Sequence, residues 1–147
     1  MTNENLVIEQ QIINAIRKLL TKRVNELLLD LPFHIPIIDF GDNGCGHAVC
    51  PIVTLNSCES TEKERIIHLD TYSLIITFSF PDTPESESHC YAYAASVVKA
   101  IRENPTLDGI VENVSVSSKK IMPPKKLSYG DVWELSLTLR VTVEEIN

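Results

Sequence analysis

The densest set of chemically capable side chains lies in the run GDNGCGHAVCP, residues 41–51, where three glycines fall within six residues and a loop is expected. With Cys58 it supplies Cys45, His47, Cys50 and Cys58, a C-x-H-x2-C-x7-C pattern whose four nitrogen or sulfur donors could surround a tetrahedral zinc. The spacing is not that of two close pairs on tight turns, and Cys58 would have to fold back from beyond a strand. His68 or the adjacent His89 and Cys90 could substitute for one ligand. A second chemistry would make Cys45 or Cys50 a thiolate nucleophile, with His47 or His34 as base and Asp39 or Asp42 orienting it. The chain has no nucleophile elbow and no phosphate-cradling G-x-x-x-x-G-K. The reading adopted therefore assigns no catalytic residue, no cofactor and no metal, and keeps the Cys45–His47–Cys50–Cys58 zinc or thiol protein as an alternative.

Charge offers other candidates. Lys119, Lys120, Lys125 and Lys126 place four positive charges around two prolines in a linker of an otherwise acidic chain, a contact surface for an acidic partner or for passing DNA. Arg17, Lys18, Lys22 and Arg23 fall on the polar side of the first helical segment and read as a solvated face. The carboxylate pairs Glu85/Glu87 and Glu144/Glu145 fit a helix start and a solvated chain end better than acid–base catalysis.

These residues must be held by one domain. The chain has 147 residues, 44% of them hydrophobic, and 13 basic against 20 acidic side chains give a net charge of −7. Such a length buries about 70% of the unfolded surface. The charge balance argues against a protein whose main task is coating nucleic acid. The opening residues do not read as a secretory signal, and no run approaches the 18 apolar residues of a membrane span, so a cytosolic protein with reduced thiols is expected.

Periodicity gives the elements. Ile12, Ile13, Ile16, Leu19, Leu20, Val24, Leu27 and Leu28 recur at helical spacing within residues 5–28, and Pro32 predicts a stop near Asp30. Residues 33–40 suggest a short edge strand and 52–55 another, with 59–65 as a solvated connection. Apolar residues at every even position, with polar odd positions except Ile75, predict a half-buried strand at 71–80. Thr83 then caps a second helix, with Pro84 at its first position and Tyr91, Ala94, Ala95, Val98 and Ile101 as its buried stripe. Asn104 and Pro105 close that helix, Asp108-Gly109 turns the chain, and strands follow at 110–118 and 133–143. The expected fold is α+β, in the order α-β-β-β-α-β-β, an antiparallel or mixed sheet with both helices on one face.

The second half, from the helix at 88–104 through PTLDGIVENVSV and the basic linker to YGDVWELSLTLRVTVEE, resembles the tail terminator or tail completion proteins of long-tailed bacteriophages. The element order agrees over nearly the whole chain, most closely over 71–145. The resemblance implies a structural part of the virion, made in the bacterial host cytoplasm and carried on the tail. Such proteins form a ring, a hexamer on the tail, that stops tube growth and receives the head connector. The implied partners are further copies of the chain, the tail tube protein, the head-completion or connector protein and passing DNA, with no membrane. Another head–tail connector or minor tail subunit is the nearest alternative. The Gly, Cys and His loop is a departure from the family pattern.

Overall fold

The computed structural model describes residues 7–41, 48–62, 66–124 and 132–146. The first helix is continuous but not uniform: α1 (Ile8–Leu19) passes through a π-helical segment (Leu20–Val24) into α2 (Asn25–Leu29). Then come β1 (Ile52–Glu62), β2 (Ile67–Pro81), α3 (Ser86–Glu103), β3 (Asn113–Met122) and β4 (Val132–Ile146). The strands form one antiparallel sheet in the order β1-β2-β4-β3. This is the expected α+β class, and both helices lie on one face of the sheet.

Alternation explains why that face is apolar. Tyr72, Leu74, Ile76 and Phe78 of β2 stand opposite Val141, Leu139, Leu137 and Leu135 of β4, so each pair presents two apolar groups to the same side. All eight are buried and join one hydrophobic cluster with the inner faces of the helices. Phe78 stacks on Tyr93 of α3 at 5.0 Å, and Phe80 lies 5.8 Å from the same ring. The Tyr93 hydroxyl donates to the Pro36 carbonyl at 2.7 Å. Burial raises the phenol above its ordinary pKa, so it stays a donor.

Several local expectations need correction. Residues 33–40 do not form an edge strand; they make a single parallel bridge between Ile38 and Val49. The reason is a helix side chain: Asn25 accepts the Ile38 N–H at 2.7 Å and donates to the Ile38 carbonyl at 2.8 Å, taking groups a sheet neighbour would have used. The proposed connection at 59–65 is strand through Glu62, because β1 pairs along β2 as far as Glu62 and His68. As an edge strand with its far half in solvent, β1 tolerates the polar run that suggested a loop. The first strand after α3 runs over Asn113–Met122 rather than 110–118, since a bulge at Ser117 lets pairing continue to Met122.

The second helix starts later than the capping chemistry predicts: its first helical residue is Ser86, its N-cap is Glu85 and no side chain caps it, so Thr83 and Pro84 belong to the preceding turn. That turn is held by Ser86 instead, whose Oγ accepts the Thr83 N–H at 2.8 Å and donates to the Pro81 carbonyl at 2.7 Å, while the Thr83 hydroxyl meets Ser86 Oγ rather than a helix N–H. The buried stripe of α3 is rotated from the expected one. Cys90, Tyr93, Ala94, Val97, Ala100 and Ile101 face the core, while Tyr91 and Ala95 face solvent. Tyr91 has a better use outside, donating to Glu87 Oε1 at 2.8 Å.

Candidate functional site

Two surfaces stand out once the core is in place. The first is a groove of about 780 Å³ between the first helix and the connection from α3 to β3. Lys18, Leu19 and Lys22 form one wall, and Leu107, Asp108 and Ile110 form the other. Its size lies within the range of about 300–1,000 Å³ usual for binding clefts. Both walls have unusual backbone. The helix wall includes the π-helical turn, a conformation that occurs mostly as single inserted turns. The other wall holds three successive left-handed residues, Leu107 (φ 49°), Asp108 (φ 60°) and Gly109 (φ 86°).

Only the last of these is a glycine, and a left-handed residue bearing a Cβ costs about 1–2 kcal/mol. Burial of Leu107, 4% exposed, offsets that strain, and the Val114 N–H bond to the Pro105 carbonyl at 2.7 Å ties the turn to β3. Asp108-Gly109 was legible as a turn from sequence. The extension of the left-handed conformation back to Leu107 had no local signal.

The four cations of the first helix do not share one role. Arg17 lies 5.3 Å over the Phe40 ring. Arg23 donates to Glu103 through Nε at 2.6 Å and through a terminal nitrogen at 3.0 Å, joining the first helix to the end of α3. Those hydrogen bonds raise the Arg23 pKa and hold Glu103 below the ordinary carboxylate value. Lys18 and Lys22 have no ion-pair partner among the described residues. A face expected to be uniformly solvated thus divides into two engaged arginines and two available lysines beside a groove.

The second surface is the outer face of the sheet. Cross-strand neighbours there form rows such as Glu59, Thr71, Thr142 and Asn113, then Ser57, Ser73, Arg140 and Ser115. Threonine and serine dominate, so the face can rest in water or meet a polar partner. A shallow depression of about 190 Å³ lies around Ser57, Thr71, Ser73, Ser117 and Arg140.

The predicted contact lysines lie partly here. Lys119 and Lys120 are exposed, but they belong to β3 rather than to a linker. Their register partners, Leu137 and Ser136, are on opposite faces of the sheet, so consecutive side chains diverge. Lys125 and Lys126 lie outside the described residues.

Of the thiol and metal candidates, Cys45, His47 and Asp42 also lie outside the described residues. Cys50 and Cys58 are exposed cysteines outside any disulfide, the first just before β1 and the second within it, beside Tyr72. Cys90 is buried in α3, and desolvation pushes its pKa up to about 11, which keeps it protonated and unreactive. Its neighbour His89 stacks on Phe33 at 6.1 Å. His34 is exposed, and Asp39 accepts the Gly41 N–H at 2.6 Å. No group of three or more His, Cys, Asp or Glu side chains capable of holding a metal occurs among the described residues.

Sequence reasoning passed over a polar cluster at the other end of the sheet. Asp70, 7% exposed, accepts from Ser60 Oγ at 2.5 Å, with His68 Nε2 at 3.7 Å. Beside it the Tyr72 hydroxyl donates to Glu9 at 2.7 Å. Register supplied the missing signal, since Ser60 and Asp70 are direct cross-strand partners. The serine is bonded to the carboxylate and not to the histidine, so this is not a nucleophile–base arrangement. It lies where the first turn of α1 meets the sheet.

No helix of the described residues is long and apolar enough to cross a membrane. Comparison of the sequence with protein-family models and with curated proteins finds no match.

Proposed function

We propose that this chain is a structural, non-enzymatic subunit of a phage tail, capping the head-proximal end of the tail tube as a ring. In that role it stops tube growth and provides the surface to which the head connector joins. The resemblance over residues 71–145 suggests the role. The supporting observation is the asymmetry of the sheet: its inner face is sealed by two helices, whereas the Ser- and Thr-rich outer face and both edge strands remain available to neighbours. Partners in this reading are further copies of the chain, the tube protein and the connector protein, with Lys119, Lys120, Lys125 and Lys126 contacting the connector or DNA in the lumen.

The test is electron microscopy of a lysate from a phage or prophage genome lacking this coding sequence. Overlong tails without heads are the expected result. Tails of normal length that fail to join heads would assign the chain to a connector instead, and a normal particle yield would refute the role. Simultaneous charge reversal of the four lysines is expected to reduce head joining while leaving the purified protein's circular dichroism unchanged.

A further inference from the structure

Among the described residues, the helical layer carries unpaired carboxylates at one end and two unpaired lysines at the other. At the start of α3, Asp82, Glu85 and Glu87 are exposed, and no Lys or Arg occurs in the sequence between Arg65 and Lys99. Asp82 accepts from the Trp133 indole at 2.7 Å, and Glu87 from Tyr91, a residue 54% exposed. The result is an acidic ledge with an aromatic group on its solvent side. At the far end of the same 18-residue helix, about 27 Å away, lies the groove with Lys18 and Lys22 on one wall, Asp108 on the other, and Leu19, Leu107 and Ile110 among its apolar groups; Glu26, also in its lining, is paired with Arg23 at 3.7 Å. Glu85 and Glu87, like the two lysines, have no ion-pair partner among the described residues.

We propose that copies of this chain associate head to tail through their helical layers, with Glu85, Glu87 and Tyr91 of one copy seated against Lys18 and Lys22 in the groove of the next. The contact joins two different patches, so it is heterologous and propagates from copy to copy, closing into a ring where the rotation permits. An exposed tyrosine among carboxylates suits a cleft with apolar groups and two unpaired lysines along one wall, because its ring supplies area and its hydroxyl remains hydrogen-bonded. The inference specifies an interface for the ring proposed above and rests on that reading for its biological setting; the contact is testable without it.

Zero-length carbodiimide coupling of the full chain at high concentration and low salt is the direct test. The expected products join Lys18 or Lys22 to Glu85 or Glu87. A span of about 27 Å along α3 rules out forming such links within one copy. Two charge-reversed proteins then provide the control: Lys18→Glu with Lys22→Glu, and Glu85→Lys with Glu87→Lys. Each alone sets like charges against each other and is expected to self-associate at least about tenfold more weakly by sedimentation. Mixed together, the two sets of patches are complementary again, and association returns. That recovery also shows both variants folded.

Self-association of either variant at wild-type strength, links that map to the sheet edges, or a wild-type chain that stays monomeric would each overturn this interface. Rings that persist in either variant would refute the contact and spare the ring. Cross-linked copies that stop at two, or grow into open filaments, would support the contact and count against the ring.

Discussion

The two helices cover the same face of one sheet by different means. In α3 the core positions Cys90, Tyr93, Ala94, Val97, Ala100 and Ile101 mix steps of three and four, which keeps them on one stripe of an ordinary α-helix. In the first helix the fully buried positions are Ile12, Ile16, Leu20, Val24 and Leu28, every step being four. At about 100° per residue each such step overshoots a full turn by about 40°, so an unbroken α-helix would carry Leu28 about 160° from Ile12. The wider π-helical turn at Leu20–Val24 absorbs roughly one residue and brings the second half of the row back to the core. A strict four-residue repeat thus requires a local departure from α geometry, and here that departure forms the wall of the charged groove.

Removing single residues tests this difference most severely. Loss of Lys22 should let the wide turn relax to ordinary α-helix, with Val24 and Leu28 still facing inward, at a cost of no more than about 2 kcal/mol. Loss of Ala95 from α3 has no wide turn to absorb it. It rotates Ser96, Val97, Ala100 and Ile101 by about 100° and should cost more than about 4 kcal/mol, a large part of the stability of a domain this size. Urea denaturation of the two deletants measures both. Comparable losses would show that the π-helical turn does not serve to hold phase.

Core substitutions come next. Phe78→Ala removes a fully buried ring stacked on Tyr93 and should cost about 3–5 kcal/mol. Asn25→Ala leaves the Ile38 N–H and carbonyl without their partner and should cost about 1–3 kcal/mol. The order of these values matters, since a larger loss at Asn25 would mean that the segment between the first helix and β1 organises the core rather than resting on it.

How much of this was open to reading follows from which force sets each feature. The alternation of β4 was decisive because one face is buried along most of its length, and a single-residue slip would reverse every side chain. The strand boundaries of β1 and β3 were obscured because edge strands are held by backbone pairing with a neighbour whose position no local pattern discloses. The α3 stripe was misplaced because Tyr91 and Ala95 are as apolar as the residues that replace them inside. The four-residue row was visible, but several flanking apolar residues made it look like an ordinary stripe. For the site, the helix cations could be named individually; the Arg23–Glu103 pairing that removes one of them from the available charge joins residues 80 apart.

The left-handed turn separates space from backbone conformation. A Cβ on Gly109 would meet nothing within 4 Å, yet its φ of +86° is unfavourable for any side chain. Gly109→Ala should therefore destabilise by about 1–2 kcal/mol with no steric clash. Asp108→Gly, at the exposed left-handed position beside it, should change stability by less than about 1 kcal/mol, because relief of strain is offset by greater freedom in the unfolded chain. Equal effects at the two positions would mean that the turn is held by its hydrogen bonds regardless of residue type.

The smallest effect belongs to the bond that joins the two helices. Hydrogen bonding from Arg23 lowers the Glu103 pKa in the folded state, so this contribution is fully present above the carboxyl's unfolded pKa and fades as pH falls through the lower, folded value. Glu103→Gln should thus cost a little stability at neutral pH and nothing in strong acid, and the difference should shrink in high salt because both groups are solvent-accessible. Thermal unfolding of the pair across the acid range measures it. A difference that persists below the folded pKa would place the contribution in the packing of the side-chain stems, and the first helix would then be fastened to α3 by shape rather than by charge.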